Sequence, residues 1–334
     1  MHITNEMIHP ELRKKGKLLR RVLPYFSIRT FRLCNQLQKL MKGKHTKELS
    51  FEEIWIDRPH PVAGEEKLRI CVYRSKDSSA TQKEVPGLLW IHGGGYAIGA
   101  PEQDENFILN FIKESGCVVV APDYCLSTTA PYPAALEDCY TALLWLKNHA
   151  AEYGIRSDQL MVGGDSAGGG LTAALTIYAR DKKEVSISFQ MPLYPMLDDR
   201  MLTESSKEND APVWNTKSNE NGWKLYLGEL YGTDCVPAYA SPARLEDYRG
   251  LPPAFTFVGG IEPFRDETIA YMECLKSAGV PAVYRVFEGC FHAFDLMGKG
   301  TDISTEATEL LLCNFRYAVE HYFAPQPGGV PNYR

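Results

Sequence analysis

Apolar and polar stretches alternate along the chain in a way that predicts a sheet whose later strands are separated by helices. Each predicted strand is an apolar or alternating run bounded by polar or turn residues. The strands are predicted at 51–57, 68–74, 87–91, 117–122, 159–163, 186–193, 254–259 and 282–287, and the main helices at 134–151, 167–181, 266–277 and 303–322. Alternation of this kind requires right-handed crossovers. We therefore predict an α/β fold with a mostly parallel eight-stranded sheet and helices on both faces.

Two stretches fall outside this alternation and define the expected domain organisation. Residues 1–50 are predicted to be an N-terminal helical cap segment, and residues 198–239 a cap insertion in a core formed by 51–197 and 240–325. The insertion is rich in aromatic residues, which are uncommon on a surface at such density and so favour burial. Residues 326–334 are rich in Pro and Gly and are expected to form a flexible tail.

Composition narrows the function classes. The 334 residues are 44% hydrophobic and 23% charged, as in ordinary soluble globular proteins. A formal net charge of −6 argues against nucleic-acid or anionic-membrane partners.

Residues 12–47 are basic and amphipathic, and we interpret them as helix packed over the protein body rather than on a membrane. No apolar run reaches the ~18 residues of a spanning helix and no signal peptide is evident, so we expect a cytoplasmic protein without integral membrane association.

The nine cysteines are scattered without the spacing of a zinc site or a disulfide framework. We read them as small buried apolar residues. No metal and no cofactor is expected.

The chemistry centres on a G-x-S-x-G motif formed by Gly164, Ser166 and Gly168. An apolar run precedes the serine and a helix-forming sequence follows it, which is the strand-to-helix turn that exposes a nucleophilic serine. A phosphate-loop interpretation fails because the G-K-[ST] ending is absent, and no dinucleotide motif is present. Ser166 is therefore predicted to be a catalytic nucleophile.

A second motif, His92 followed by Gly93, Gly94 and Gly95, comes directly after a predicted strand. Attack on an ester produces a negatively charged oxygen that needs preorganised N–H donors. Consecutive glycines can supply such donors, and the residue after the nucleophile, Ala167, supplies another. We predict an oxyanion hole at these residues and a structural role for His92.

These two motifs, together with Asp123-Tyr124 and the segment Pro131 to Asp138, resemble the hormone-sensitive lipase family of α/β-hydrolase carboxylesterases. The likeness runs from about Val85 to the end of the last helix. It implies that residues 1–50 and 198–239 together cap an acyl pocket. One departure is 125–129, which reads Cys-Leu-Ser-Thr-Thr where the family usually has Arg-Leu-Ala-Pro-Glu.

The general base is predicted to be His292, which follows the last strand, where the chain order serine, acid, histidine places it. The family pattern Asp-Pro-Leu-Arg-Asp implies the position of the acid. Here that pattern reads Glu262-Pro263-Phe264-Arg265-Asp266, so the expected Asp has become Glu. Glu262 is the predicted acid. Asp266 is the alternative, and its other role would be to cap the helix that begins near it.

The sequence thus predicts a serine carboxylesterase that hydrolyses small-molecule, short-chain acyl esters through an acyl-enzyme. Two alternatives stay open: an amide-cleaving deacetylase of the same family, and a catalytically silent small-molecule-binding protein. A homodimer is also left open. The acyl pocket is expected to be shaped by four aromatic residues: Tyr96, Trp214, Trp223 and Tyr226.

Overall fold

A single eight-stranded sheet forms the centre of the molecule. The computed structural model describes residues 1–38, 42–76 and 84–328. Along the chain the strands are β1 (Leu49–Val62), β2 (Glu65–Ser75), β3 (Val85–Ile91), β4 (Val118–Pro122), β5 (Ile155–Asp165), β6 (Phe189–Leu193), β7 (Ala254–Gly259) and β8 (Ala282–Phe287). Their spatial order is β1-β2-β4-β3-β5-β6-β7-β8. Only the β1–β2 and β2–β4 pairs are antiparallel. The predicted fold class is confirmed.

Helices lie before, between and after the strands of the sheet. They are α1 (Arg13–Val22), α2 (Ile28–Gln38), α3 (Glu105–Ser115), α4 (Ala134–His149), α5 (Ala167–Lys182), α6 (Thr216–Leu227), α7 (Arg265–Ser277), α8 (Phe294–Met297) and α9 (Asp302–His321). Helix α3 was not predicted, and it provides the crossover between β3 and β4.

The central strands of the sheet are buried on both faces because helices cover each side. Successive residues of β3 show this directly. Leu89 belongs to the apolar core that contains residues of α4 and α5, whereas Leu88 and Trp90 belong to the core that contains residues of α3 and α9. This explains why β3 reads as a continuous apolar run rather than an alternating one.

The N-terminal segment and the insertion lie against each other above the sheet. The Phe26 N–H donates to Ser218 Oγ at 2.9 Å, and Asn221 Nδ2 donates to the Phe26 carbonyl at 2.8 Å. The ring of Phe26 is 5.7 Å from that of Trp214, and the buried Phe31 ring is 6.2 Å from it. The two segments therefore form one roof, while the exact domain boundaries stay predictions.

The predicted tail is described only as far as residue 328. Within it, Gln326 Nε2 donates to the Ser186 carbonyl at 2.9 Å, and the Ser186 N–H donates to Gln326 Oε1 at 3.1 Å. Residues 329–334 lie outside the described residues. Of the described helices, none combines the length and apolar character needed to cross a membrane.

Candidate active site

Ser166 occupies the sharp turn between β5 and α5. Its backbone has φ 55° and ψ −117°, a left-handed conformation that is strained for a residue with a side chain. The flanking glycines allow the turn to approach β3. A Cβ at Gly164 would lie 2.4 Å from the Ile91 carbonyl oxygen, and a Cβ at Gly168 would lie 2.0 Å from it. Only glycine fits at either position, so the motif is a packing requirement of this turn.

The side chains of Ser166, His292 and Glu262 form a continuous hydrogen-bonded chain. His292 Nε2 is 2.8 Å from Ser166 Oγ, and His292 Nδ1 is 2.5 Å from Glu262 Oε2. All three side chains are buried. The other carboxylate oxygen, Glu262 Oε1, accepts a hydrogen bond from the Gly259 N–H at the end of β7, 3.1 Å away. Glu262 is therefore held at both oxygens.

Burial raises the pKa of Glu262, and the charge and hydrogen bond of His292 oppose that rise. The site thus places a carboxyl group, cut off from water, directly behind the imidazole. A positive charge that forms on this imidazole would be stabilised by that neighbour.

Asp266 lies away from this chain. Its Oδ2 accepts a hydrogen bond from the Ser205 N–H at 2.8 Å, and its Oδ1 accepts one from Arg265 Nε at 2.7 Å. Asp266 N in turn donates to Ser205 Oγ at 3.1 Å. The side chain therefore ties the start of α7 to the insertion, and the structure brings Glu262, not Asp266, to His292.

The glycine loop after β3 lies beside Ser166. Gly94 and Gly95 have φ of 119° and 59°, values that favour glycine. Among the described residues, the backbone N–H groups of Gly94, Gly95 and Ala167 have no hydrogen-bond acceptor. Gly93 lies close to Asp165, since a Cβ there would be 2.5 Å from Asp165 Oδ2. The loop thus presents unengaged donors at the edge of the sheet where Ser166 stands.

His92 holds this loop from behind. Its Nδ1 lies 2.8 Å from the Gly93 carbonyl, and its ring stacks on Tyr124 with 4.2 Å between centroids. Tyr124 Oη donates to the His92 carbonyl at 3.0 Å. Burial lowers the pKa of His92 to about 4, so the imidazole is neutral near neutral pH. This geometry matches the structural role expected for His92.

A cavity of about 660 Å³ opens beside Ser166 and His292. Its apolar wall includes Trp214 from the insertion and Phe26 from the N-terminal segment. The other three aromatic residues expected at the pocket do not line this cavity. Tyr96, Trp223 and Tyr226 instead form a buried cluster, with the rings of Tyr96 and Tyr226 stacked 3.8 Å apart.

Known proteins share this architecture. Residues 88–296 match the sequence profile of a family described as the alpha/beta hydrolase fold. The chain is 34% identical over 228 residues to Esterase LipI of Mycobacterium tuberculosis, an alignment that covers 68% of this chain and 71% of that protein. It is 30% identical over 283 residues to AB hydrolase superfamily protein C1039.03 of Schizosaccharomyces pombe, covering 81% of this chain and 78% of that protein. The chain belongs to the α/β-hydrolase family.

A solved structure agrees with this assignment. The structure titled Bacterial Heroin Esterase superposes with a TM-score of 0.85 at 32% identity and covers 95% of this hydrolase and 99% of its own chain. Together these relatives confirm the resemblance to the hormone-sensitive lipase family and identify the hydrolase as a serine carboxylic ester hydrolase.

The hydrolase also carries a cluster of three buried aspartates that the sequence interpretation did not identify. Asp104, Asp165 and Asp295 all line the cavity beside Ser166. Asp104 and Asp165 are electrostatic neighbours, and the carboxyl group of Asp104 adds to the effect of burial on Asp165. Burial raises the pKa of Asp104 to about 6, that of Asp295 to about 7, and that of Asp165 well above its ordinary range.

Neighbouring groups satisfy only part of this cluster. Trp90 Nε1 donates to Asp104 Oδ2 at 2.9 Å, and Tyr194 Oη donates to Asp295 Oδ2 at 3.2 Å. Among the described residues, the Oδ1 atoms of Asp165 and Asp295 have no hydrogen-bond partner. The sequence indicates in part that Asp165 and Asp295 lie near the active site, because Asp165 precedes the nucleophile and Asp295 follows His292 by three residues. Nothing in the sequence places Asp104 beside them. Among the described residues, no group of His, Cys, Asp and Glu is arranged to hold a metal ion.

Proposed function

We propose that this hydrolase is a carboxylesterase that cleaves short-chain acyl esters through a covalent acyl-enzyme on Ser166. The observation that carries the proposal is the hydrogen-bonded chain from Glu262 through His292 to Ser166. A serine hydroxyl is a weak nucleophile unless an adjacent base removes its proton. Here the base is within hydrogen-bond distance, and the base itself is oriented by a buried carboxyl group.

The first half of the reaction forms the acyl-enzyme. His292 Nε2 takes the hydroxyl proton of Ser166 as Oγ bonds to the ester carbonyl carbon, and the carbonyl oxygen becomes an oxyanion. Gly93, Gly94, Gly95 and Ala167 form the proposed oxyanion hole, with the free N–H groups of Gly94, Gly95 and Ala167 as its donors. When the bond from carbon to the alcohol oxygen breaks, the proton on His292 passes to the departing alcohol.

The second half releases the acid. A water molecule gives its proton to His292 and its oxygen attacks the acyl carbon, so that a second oxyanion forms in the same place. Collapse of this intermediate breaks the bond to Ser166 Oγ, which regains its proton from His292. Glu262 remains ionised and stabilises the imidazolium in each half.

The preference for short acyl groups rests on the cavity. Trp214 is buried, and its ring lies against the glycine loop, since a Cβ on Gly95 would be 2.3 Å from the Trp214 ring. The same ring is 6.3 Å from that of His292. An acyl chain that leaves Ser166 in this direction meets the indole within a few carbons.

Substitution of the nucleophile tests the proposal. Ser166→Ala should abolish turnover of p-nitrophenyl acetate and labelling by a fluorophosphonate probe. Ser188→Ala is a matched control, because Ser188 is also buried but its Oγ donates to the Leu160 carbonyl away from the site. Full activity of the Ser166→Ala variant would refute the proposal.

Two alternatives are separated by related measurements. The short contact between His292 and Ser166 disfavours a catalytically silent binding protein, and fluorophosphonate labelling of the unmodified protein would exclude it. An amide-cleaving deacetylase would use the same groups. Matched ester and anilide substrates with one acyl group distinguish it, and we expect the ester to be hydrolysed faster.

A cytoplasmic location and a homodimer are two further proposals. The sequence interpretation predicts the first and leaves the second open. Cell fractionation tests the first, and analytical ultracentrifugation at micromolar concentration tests the second.

A further inference from the structure

Positive charge is concentrated in one segment of this chain, although the net charge of the whole chain is negative. Residues 12–47 contain 12 of the 36 Lys and Arg residues, whereas all 42 Asp and Glu residues lie elsewhere. This stretch includes helices α1 and α2, so an acidic protein carries a strongly basic segment near its N-terminus.

Both helices also expose large apolar side chains. Leu18 and Val22 on α1 are 61% and 72% exposed, and Leu33 and Leu37 on α2 are 62% and 58% exposed. Each pair is spaced four residues apart, so its members lie on one face of their helix. Scattered single apolar residues on a surface are normal, but two such pairs on adjacent helices need an explanation.

The inner faces of the same helices account for their attachment to the protein. A Cβ at the buried Gly16 would lie 3.2 Å from side-chain atoms of both Ile8 and Phe291. The buried Phe31 stacks on Phe26 with 5.4 Å between ring centroids. The exposed leucines and valine are therefore not required to hold α1 and α2 in place.

Cations flank the exposed apolar residues. Five of them make no ion pair with any other residue that the structure describes: Lys14, Lys17, Arg21, Arg29 and Arg32. Lys14 lies one helical turn before Leu18, and Arg29 lies one turn before Leu33. On each helix the basic and apolar side chains lie on one face. We call these two faces together the basic-apolar face, and it consists of Lys14, Lys17, Leu18, Arg21 and Val22 on α1 and of Arg29, Arg32, Leu33 and Leu37 on α2.

We propose that the basic-apolar face binds the surface of an anionic lipid bilayer. Amphipathic helices that bind membranes place their apolar side chains at the level of the lipid headgroups and use Lys and Arg to attract anionic lipids. Cations without internal partners are free to do so, and each contributes to the attraction. The exposed apolar side chains favour a lipid surface over a nucleic acid, which would contact only the cations. Averaged over the chain, the net charge of −6 argued against an anionic membrane as partner. The acidic residues lie outside residues 12–47, however, so the charge of this segment itself is positive and favours such binding.

The proposed surface borders the opening of the active-site cavity. Phe26, two residues before α2, and Gln38, the last residue of α2, both line the cavity. Lys15 Nζ on α1 donates to the Lys299 carbonyl at 3.0 Å, and Lys299 also lines the cavity. Binding to a bilayer would therefore hold the cavity entrance near the lipid surface. The binding itself does not depend on the proposed esterase activity and can be measured without it.

Vesicle sedimentation with the full chain tests the proposal. The protein should pellet with vesicles of phosphatidylcholine and phosphatidylserine in a 7:3 ratio, pellet weakly with phosphatidylcholine alone, and be released by 0.5 M NaCl. The triple variant Lys14→Gln/Lys17→Gln/Arg21→Gln should bind about 100-fold more weakly, at about fivefold for each cation removed. The variant Leu18→Ser/Val22→Ser/Leu33→Ser/Leu37→Ser should also lose binding.

Matched controls keep the test specific. Lys182→Gln/Lys183→Gln removes cations at the end of α5, and Leu202→Ser/Val283→Ser removes exposed apolar residues elsewhere. Both should bind like the parent, and all variants should hydrolyse soluble p-nitrophenyl acetate at the parent rate, which reports correct folding. The proposal is overturned if the parent does not bind the anionic vesicles, or if the controls weaken binding as much as the test variants. It is also overturned if the four apolar substitutions instead dissociate a dimer in solution, which would assign the face to a second copy of the chain.

Discussion

Arg58 on β1 forms a two-pronged ion pair with Asp138 on α4, directly beneath the loop that follows β4. Arg58 Nε and Nη2 donate to Asp138 Oδ1 and Oδ2 at 2.7 and 3.0 Å. Asp138 Oδ2 also accepts from the Cys125 N–H at 2.8 Å. Cys125 stands where related esterases usually have an arginine. In this chain Asp138 has a guanidinium partner from β1, although position 125 carries no arginine.

We predict that Arg58→Leu destabilises the fold by about 3–5 kcal/mol, because it leaves the buried Asp138 carboxylate without its partner. Adding Cys125→Arg to this variant should restore part of the lost stability. The N–H of residue 125 already donates to Asp138, so an arginine side chain at this position would lie close enough to pair with the carboxylate. Urea unfolding of the parent, both single variants and the double variant measures the coupling. Strictly additive losses would show that the two positions do not share Asp138.

The identity of the triad acid can be decided by conservative substitutions. Glu262→Gln should lower kcat for p-nitrophenyl acetate by about 10⁴-fold, because an amide no longer stabilises the imidazolium. Glu262→Asp should cost about 100-fold, since shortening the side chain misplaces the carboxylate by about 1 Å.

Asp266→Asn is the matched control for these variants. It should leave kcat within about tenfold of the parent, because Asp266 contacts Ser205 and Arg265 rather than His292. Its effect should appear instead as a lower unfolding midpoint. A collapse of kcat in this variant, with Glu262→Gln remaining active, would transfer the role of the acid to Asp266.

Trp214 should determine the acyl-chain preference. Trp214→Ala removes an apolar wall of the cavity, so kcat/KM for p-nitrophenyl decanoate should rise relative to that for the acetate. Trp223→Ala serves as control: it removes an indole that does not line the cavity. That variant should lose about 3–5 kcal/mol of stability, with the chain-length profile unchanged. Equal shifts of the profile in both variants would count against a direct role of Trp214.

The buried aspartates should make stability depend on pH. The pKa of Asp295 is about 7 in the folded protein, against an ordinary value of 3.8. Between about pH 4 and pH 7 the folded state therefore keeps a proton that the unfolded state has lost, and the free energy of unfolding falls as pH rises. The amide introduced by Asp295→Asn cannot ionise, so this variant lacks the fall in the free energy of unfolding that Asp295 causes as pH rises.

The variant should match the parent near pH 4 and be more stable above pH 7, by at most about 4 kcal/mol at about 1.4 kcal/mol per pKa unit. Unfolding midpoints in urea at pH 4, 6 and 8 provide the measurement. Asp302→Asn, at the exposed start of α9, is a control that should follow the parent at each pH. A parent whose stability rises from pH 5 to pH 8 would contradict the assignment.

Sequence patterns of short range were sufficient for much of this structure. Turns such as the one at Ser166 depend on residues within two positions of each other, and the eight strands were visible as apolar runs. Helix α3 was missed although Phe107, Ile108, Phe111 and Ile112 repeat with helical spacing. This spacing is itself typical of a helix that buries one face.

Contacts between distant residues could not be derived in the same way. The pairing of Asp104 with Asp165 and that of Arg58 with Asp138 depend on which strands become neighbours and on how each side chain is turned. The aromatic residues of the insertion illustrate the same limit. Their number predicted burial, but only the fold shows that Trp214 lines the cavity while Trp223 and Tyr226 pack against Tyr96.

The roof over the cavity joins two parts of the chain that are 192 residues apart, through the bond from the Phe26 N–H to Ser218 Oγ. Ser166, His292 and Glu262 belong to neither part. The specificity of this enzyme can therefore evolve, or be engineered, by exchanging the N-terminal fifty residues for those of a relative. Such an exchange would alter the shape of the entrance, and it would have to keep the contacts of His9 with Gly289 and of Gly16 with Phe291, which support the loop that carries His292.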